Sequence, residues 1–515
     1  MIEKTLPTSV VESRLAALAE SILPGSRPSF HAFRYRDDFI VYDLLTGSIL
    51  EVSEPFFEIL NGIELREPAS SIRSRIAAWP DDEAEALIDE LAILHEAGLL
   101  QTEDTSRIAE VERLVAESLV AHRPRKMMLM VQSSCNLKCT YCYEVQSGFH
   151  ATGTKMDLET GKRSVEFLIQ RSGNRPDVEI TFFGGEPLMN FKLMQELVDY
   201  SKSREAEVGK RFHYQVTTNG TLLTDEVIAY LVEHEFGVML SIDGPPELND
   251  RHRVDLGGRG TGAAAIANAK RLVEAQRAAG QREAMVRVTL THENSDGQAV
   301  ERYLRAEGFE RIMLGTSTGR ANHKESWDLQ PEDLDHMRTE IDRSVDAYVD
   351  WLEGAGPRPE SATQVEKGVR HLLPSLQAPT TAPSIRCGVG RNMQAVTRDG
   401  KIYPCHRYAG EDAFLLGDLE GGLDETKVRR FYDSLLGVKE EHCSKCWARI
   451  TCGGQCPWYI SDPSGAIVHP DEPSCDGIRG GHERMLYLIH KLRQSGRIED
   501  LRAGVGQDEL DGDQR

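Results

Sequence analysis

Between residues 126 and 319 the sequence alternates between strand-like and helix-like segments, and this alternation constrains the fold more than any other feature. Runs rich in β-branched and aromatic residues predict strands at 127–133, 178–184, 212–218, 238–243, 285–291 and 311–315. Apolar residues at helical spacing between them predict helices at 157–171, 191–209, 224–235, 262–280 and 299–307. Alternating strands and helices form parallel βαβ units, so we expect an α/β fold with six parallel strands. The loops after such strands carry the chemistry of parallel barrels.

The loop after the first predicted strand carries three cysteines, Cys135, Cys139 and Cys142, at C-x3-C-x2-C spacing. Thiolates are the usual ligands of iron–sulfur clusters, so three thiolates on one loop can hold three irons of a [4Fe–4S] cube. The fourth iron then remains open to another ligand. A structural zinc loop and buried free cysteines are the alternatives.

Small or polar residues end the next three predicted strands. They are Gly184, Gly185, Glu186 and Pro187 on the second strand, Asn219 on the third, and Ser241 and Asp243 on the fourth. Glycines let a backbone approach a ligand closely, and a glutamate at such an edge can accept hydrogen bonds from an ammonium group. Tight turns and strand-end capping are the alternatives for these residues.

The other seven cysteines lie in the C-terminal part of the chain. They are Cys387, Cys405, Cys443, Cys446, Cys452, Cys456 and Cys475. Glycines close to them in sequence supply the turns that wrap a backbone around a metal cluster. Zinc ribbons also use C-x2-C pairs, so zinc is the alternative here.

The cysteine loop, with Tyr141 between its last two cysteines, and the Gly-Gly-Glu-Pro segment resemble the radical S-adenosylmethionine (SAM) enzymes, over about residues 126–490. The resemblance implies a partial (β/α)6 TIM-like barrel, a [4Fe–4S] cluster on the loop, and reductive cleavage of SAM to a 5′-deoxyadenosyl radical. It implies SAM-binding roles for Tyr141, Gly184, Gly185, Glu186, Pro187, Asn219 and Ser241. By the same resemblance, Asp243 would lie near the substrate or SAM.

The seven C-terminal cysteines resemble the SPASM extension of radical SAM enzymes, which implies two auxiliary [4Fe–4S] clusters and therefore three clusters in all. By that pattern Cys443, Cys446, Cys452 and Cys475 hold an outer cluster, and Cys387, Cys405 and Cys456 hold an inner one. Two clusters need eight ligands for full coordination, so one iron of the inner cluster lacks a cysteine. That iron is open to a substrate thiolate, a water or a side chain such as His406.

His406 directly follows Cys405, where anaerobic sulfatase maturases carry a catalytic aspartate, and this departure argues against sulfatase maturation. The C-terminal segment looks more like enzymes that form thioether bonds in peptides, such as ranthipeptide and sactipeptide maturases and the enzyme that cross-links quinohemoprotein amine dehydrogenase. We therefore expect a peptide maturase with Asp243 or His406 as its base and a flavodoxin- or ferredoxin-type electron donor. Carbon–carbon cross-linking or another peptide oxidation is the alternative, and a non-catalytic peptide chaperone is a third.

The sequence as a whole divides into five regions. Residues 1–120, with a strand pair at 39–43 and 48–52 and helices at 10–22, 55–63, 69–78 and 81–97, resemble a winged-helix-like peptide-recognition domain. Such a domain would bind a leader peptide by adding it to a sheet edge, whereas a structural cap over the barrel is the alternative. We expect the barrel to span residues 121–320, a helical bridge 321–384, a SPASM domain 385–495 and a disordered tail 496–515.

Charge and hydropathy exclude some partners. The chain has 60 basic and 82 acidic residues, a net charge of −22, which argues against nucleic acid and anionic membranes as partners. We find neither a secretory signal nor an apolar run long enough to span a bilayer, so we expect a cytoplasmic protein. Cysteines in that compartment are metal ligands more often than disulfides.

Overall fold

A computed structural model describes residues 10–23, 29–101, 114, 117, 123–146, 154–317, 319–320, 325–377, 387–390 and 392–503. Two sheets organise the described part of the chain, one of three strands and one of ten. No helix in these ranges is long and apolar enough to cross a membrane.

The N-terminal sheet consists of three antiparallel strands in the order β1 (Phe30–Tyr35), β2 (Asp38–Asp43) and β3 (Ile49–Val52). One face packs on the N-terminal helices, and the other packs on helices from the bridge and the C-terminal region. The N-terminal helices are Val10–Ile22, Glu54–Glu64, Ala69–Arg75 and Asp81–Glu96. The predicted helices and strand pair are present, whereas β1 was not predicted.

Six parallel strands form the central unit, as predicted. They are β4 (Lys126–Gln132), β5 (Asp177–Gly184), β6 (Arg211–Thr218), β7 (Gly237–Ser241), β8 (Met285–Leu290) and β9 (Ile312–Thr316), and each pairs in parallel with the next. The helices of this unit are Tyr143–Gln146, Leu158–Arg171, Phe191–Val208, Asp225–Glu233, Pro246–His252, Gly262–Ala278 and Gly297–Ala306. The largest apolar core lies between these strands and helices. The α/β fold with a partial (β/α)6 barrel is therefore confirmed.

Four C-terminal strands continue the barrel sheet, which was not predicted. They are β10 (Met393–Val396), β11 (Lys401–Tyr403), β12 (Gly417–Asp418) and β13 (Gly422–Leu423). Strand β10 pairs in parallel with β4, and the remaining three add antiparallel, which gives the order β13-β12-β11-β10-β4-β5-β6-β7-β8-β9. This pairing fixes the C-terminal region against the first barrel strand.

Helices make up most of the rest of the described chain. They are Pro331–Leu352 and Ala362–Gln377 in the bridge, and Glu425–His442, Arg449–Cys452, Glu472–Gln494 and Ile498–Ala503 in the C-terminal region. The prediction of a disordered tail from residue 496 is wrong for the last helix, because Ile498 and Leu501 are buried in the same core cluster as Glu472–Gln494. Residues 504–515 of the predicted tail lie outside the described residues.

Candidate functional site

The barrel strands and the C-terminal loops together enclose a cavity of about 790 Å³. Every barrel strand contributes to its wall, through Met128, Phe183, Thr217, Ser241, Thr289 and Thr316 among others. The C-terminal region forms the facing wall with His406, Arg407, Trp458 and Tyr459. The two predicted domains therefore share one chamber.

The three cysteines of the loop after β4 all line this chamber. Burial raises the pKa of Cys135 to about 12, with smaller increases from Glu186, Cys139 and Cys142. The three thiols therefore lie close enough to influence one another, and coordination to a metal deprotonates a thiol outright. In the described ranges, no three His, Cys, Asp or Glu side chains converge tightly enough to hold a single metal ion. Three thiols around an open space fit a larger group such as a [4Fe–4S] cluster.

Gly184 and Gly185 allow the end of β5 to pass directly against the cysteine loop. Gly184 has a φ of +114°, and a Cβ on either glycine would overlap a backbone carbonyl of the loop, at Gln132 or at Ser134. The close approach lets Gly185 N–H donate to the Gln132 carbonyl at 2.8 Å. Both glycines line the chamber, so they position the loop and leave backbone exposed to a ligand.

Glu186 lies behind the chamber wall and joins β5 to β6. Its fully buried carboxylate accepts hydrogen bonds from the Thr218 hydroxyl at 2.8 Å, Asn219 N–H at 2.8 Å and Leu188 N–H at 3.1 Å. Burial raises its pKa to about 7. Pro187 is also buried, and neither residue is part of the chamber lining, whereas Tyr141, Asn219 and Ser241 are. A direct contact of the Glu186 carboxylate with SAM, as expected from sequence, is therefore not supported by this geometry.

Asp243 is also fully buried and already has a complete set of partners. Its carboxylate accepts hydrogen bonds from the Tyr141 hydroxyl, from Thr289 N–H at 2.8 Å, and from Arg253 at 2.8 and 3.3 Å. A carboxylate has about four lone-pair sites, so none is left for a substrate proton. In this arrangement Asp243 positions Tyr141 and Arg253, which do line the chamber, and its role as a catalytic base stays a prediction that these contacts do not favour.

His406 lies inside the chamber, against the barrel strands. Its Nδ1 is 3.2 Å from the Met128 sulfur, and its ring centroid is 4.4 Å from that of Phe183. Burial lowers the pKa of His406 well below its ordinary value, and the nearby cations Arg407 and Lys126 lower it further. The imidazole is therefore neutral at neutral pH, and the lowered pKa makes it a weaker base than an exposed histidine.

The structure brings the C-terminal cysteines together in the two sets expected from sequence. Cys443, Cys446, Cys452 and Cys475 line a separate cavity of about 720 Å³. Cys387, Cys405 and Cys456 lie close enough that Cys456 raises the pKa of the other two, although burial is the main cause in both cases. The ligand assignment to an outer and an inner cluster remains a prediction that this arrangement fits.

The arginines of the chamber wall were missed from sequence, among them Arg253, Arg287 and Arg407. The Arg407 guanidinium lies about 5 Å from the ring centroids of Tyr143, Trp458 and Tyr459. None of the three belongs to a motif with recognisable spacing. The only signal in the sequence that pointed to Arg407 was its location two residues after Cys405.

Comparison with known proteins agrees with this site. Residues 129–306 match the family model of the radical SAM superfamily. The chain is 22% identical to the radical SAM cyclopropyl synthase TigE of Paramaledivibacter caminithermalis over 475 residues, which cover 86% of this chain and 91% of TigE. It is 25% identical to a cysteine-type anaerobic sulfatase-maturating enzyme of Clostridium perfringens, with 62% and 86% covered. It is 27% identical to the mycofactocin maturase MftC of Mycobacterium ulcerans, with 63% and 80% covered.

A solved structure shows the same fold. It is native anSMEcpe with bound AdoMet and Cp18Cys peptide, with a TM-score of 0.55 and 20% identity over 73% of this chain and 99% of that one. The fold, the cysteine loop and these matches define the class: the chain carries a radical SAM domain at residues 129–306, and the family of that domain implies a [4Fe–4S] cluster and SAM. More particularly, it is similar to the radical SAM enzymes that modify peptides or proteins.

Proposed function

We propose that this chain is a peptide maturase that joins a cysteine sulfur to a carbon atom within one substrate peptide. One observation carries the proposal: the Cys135–Cys139–Cys142 loop and the segment that follows Cys405 wall the same chamber. Hydrogen abstraction and closure of the new bond can therefore take place without the substrate leaving. Cys135, Cys139 and Cys142 would hold the cluster that, with SAM, supplies the abstracting radical.

The proposed reaction breaks one carbon–hydrogen bond and one thiol S–H bond, and it forms one carbon–sulfur bond. A hydrogen atom leaves the carbon, a proton leaves the thiol, and one electron passes to an acceptor. Cys387, Cys405 and Cys456 would hold an inner cluster able to accept that electron, and its iron without a cysteine could bind the substrate thiolate. His406 is the base that we propose where the thiol is not bound to iron, because its neutral imidazole lies in the chamber wall, although its lowered pKa limits its strength as a base.

The proposed reaction also implies the cofactors and partner proteins of the enzyme. Three clusters would be present in all, with the outer one on Cys443, Cys446, Cys452 and Cys475. A flavodoxin- or ferredoxin-type protein would supply electrons. The N-terminal sheet would bind a leader peptide by strand addition, because in the described chain β1 and β3 each pair with β2 alone.

Carbon–carbon cross-linking is a second candidate that one observation favours. The relative TigE, named as a cyclopropyl synthase, matches 86% of this chain, more than either maturase relative covers. Such a reaction needs no substrate thiol, but it uses the same chamber and the same hydrogen abstraction.

Co-expression with the short peptides encoded beside the gene, followed by mass spectrometry, tests the proposal. A thioether removes two hydrogens from the peptide and protects one cysteine from alkylation by iodoacetamide. A carbon–carbon bond removes two hydrogens and leaves every cysteine open to alkylation. Enzyme with Cys135, Cys139 and Cys142 all changed to alanine is the control. Modification with the cysteine still reactive would reject the thioether proposal in favour of the second candidate.

A further inference from the structure

Arg287 is a charged side chain inside the chamber that the proposed reaction leaves without a role. It lies on β8 and lines the chamber. Its guanidinium crosses Gly315 on the neighbouring strand β9, where any Cβ would overlap it. The absence of a side chain at Gly315 therefore makes the room that Arg287 occupies.

Three of the other cations in the chamber wall have carboxylate partners. Lys126 pairs with Glu179 at 2.6 Å, Arg253 with Asp243 at 2.8 Å, and Arg320 with Glu411 at 2.8 Å. Arg407 lies among three aromatic rings and near the thiols of Cys405 and Cys456.

Arg287 differs from all of these cations. Within the described chain its guanidinium donates to the backbone carbonyl of Val288 and has no carboxylate within ion-pairing distance. Burial lowers the pKa of Arg287, and the like charge of Arg407 lowers it further. A partly buried cation without a paired carboxylate is incompletely compensated, so an anion that enters the chamber gains a favourable site there.

The position of Arg287 in the chamber indicates which molecule carries the anionic group that binds there. Its electrostatic neighbours are Asp243 and Arg253, which hold the Tyr141 side of the chamber, and Arg407 and Tyr459 on the C-terminal wall. Arg287 therefore lies between the SAM-binding loop and the predicted inner cluster, where a reacting substrate residue has to be. A guanidinium binds a carboxylate through two parallel hydrogen bonds, which gives geometric specificity as well as affinity.

We propose that Arg287 binds a carboxylate of the substrate peptide and so selects a substrate with an anionic group beside its reacting carbon. That group is either an acidic side chain or the carboxyl terminus of the peptide. This inference rests on the proposed function, since it assigns the substrate class of the same chamber.

Small capped amino acids test the binding site without the natural peptide. N-acetylglutamate methylamide supplies a side-chain carboxylate, N-acetylalanine supplies a terminal one, and N-acetylglutamine methylamide supplies neither. Binding to SAM-loaded holoenzyme can be followed by fluorescence, because Trp327 and Trp458 line the chamber. We expect one of the two carboxylates to bind at least about tenfold more tightly than the glutamine derivative, and which one binds identifies the source.

Arg287→Met should abolish this preference, and Arg287→Lys should retain part of it because the charge remains without the fork. Arg282→Met is the matched control, since Arg282 is exposed. The affinity for SAM is measured in parallel. Equal binding of the three probes, or an Arg287→Met preference like that of the wild type, would overturn the proposal. A matching loss of SAM affinity would also overturn it, because the carboxylate bound by Arg287 would then be that of SAM.

The natural peptide separates this inference from the proposed function. Changing the selected acidic residue to its amide, or amidating the carboxyl terminus, should raise KM for wild-type enzyme and not for Arg287→Met. A peptide that is modified equally well after these changes would reject the role of Arg287 and leave the proposed function standing. Probe binding by an enzyme that modifies no peptide would reject the proposed function alone.

Discussion

At the scale of single residues, the most informative side chain is Asp243, because its hydrogen bonds join Tyr141, Arg253 and Thr289 in the wall of the site. It is fully buried and pairs with Arg253, which is itself almost fully buried. We expect Asp243→Asn to lower the free energy of unfolding by about 3 kcal/mol or more, since removing one partner leaves a buried charge uncompensated. Chemical denaturation of the anaerobic enzyme measures this loss.

Asp255→Asn is the control for that experiment. Asp255 also accepts hydrogen bonds from an arginine, Arg259, but that arginine is exposed. Surface ion pairs contribute little to stability. If the two variants were equally stable, the Asp243–Arg253 pair would not be the structural element that we describe.

The cysteine loop makes a second prediction at this scale. With three clusters of four irons, the reconstituted chain should bind about twelve irons, and alanine at Cys135, Cys139 and Cys142 should leave about eight. SAM cleavage should be lost in the same variant, because the open iron is on that loop.

Alanine at Cys443, Cys446, Cys452 and Cys475 should also leave about eight irons but preserve cleavage of SAM. Iron and zinc analysis together with a SAM cleavage assay distinguishes the two variants. Stoichiometric zinc with almost no iron would contradict the cluster assignment.

At the scale of elements, the N-terminal sheet is joined to the helix Glu472–Gln494 through His31. The ring of His31 stacks on Trp447 at 3.9 Å and contacts Glu64 and Glu483 at 2.8 and 2.9 Å. Burial alone would lower the pKa of His31, but the two carboxylates outweigh burial and raise it above the ordinary 6.5. The stability from this raised pKa is full below about pH 6.5 and is lost as the pH rises through the folded pKa.

We therefore expect the melting temperature of the wild type to fall more steeply than that of Glu483→Gln as the pH rises from about 6 to 8. Glu472→Gln, on the same helix but paired with Arg479, should keep the wild-type slope. Thermal denaturation of the three proteins across this range checks the prediction. Parallel slopes for all three would show that His31 does not couple the two elements.

Most helices and strands of the barrel could be predicted because the apolar residues in each of them recur at a regular spacing. Strand β1 was missed because its apolar residues point to both faces, with Phe30 in one core cluster and Phe33 in another, so the alternation of a half-buried strand is absent. The parallel pairing of β10 with β4 was missed because no local signal in the sequence specifies a partner strand so distant along the chain. The spacing of the cysteines can be read in the sequence. The pairing of Asp243 with Arg253, and the lack of a carboxylate partner for Arg287 in the described chain, depend on how several strands come together in the fold.

At the scale of the whole molecule, the N-terminal sheet shares a core cluster with the bridge and C-terminal helices, whereas the core cluster of the barrel includes none of its residues in the described part of the chain. Deleting residues 1–120 should weaken binding of the leader peptide, which we expect to add to the N-terminal sheet, and leave slow cleavage of SAM without peptide intact. The deletion also uncovers the helix surface that Phe33, Ile40 and Tyr42 cover, so we expect lower thermal stability. Fluorescence anisotropy of a labelled leader measures binding, and unchanged affinity would reassign the domain to structural support.

The parallel pairing of β10 with β4 has a consequence for how the protein is made. During synthesis β4 can pair with β5 soon after both leave the ribosome, but its other edge has no neighbour until β10 emerges much later. An unpaired strand edge is prone to aggregate and needs protection. In the same interval the cysteine loop after β4 lacks its facing wall, because His406 and Arg407 follow β10 in the chain. The order of translation thus leaves a period in which cluster-assembly proteins can reach Cys135, Cys139 and Cys142 before the chamber closes over them.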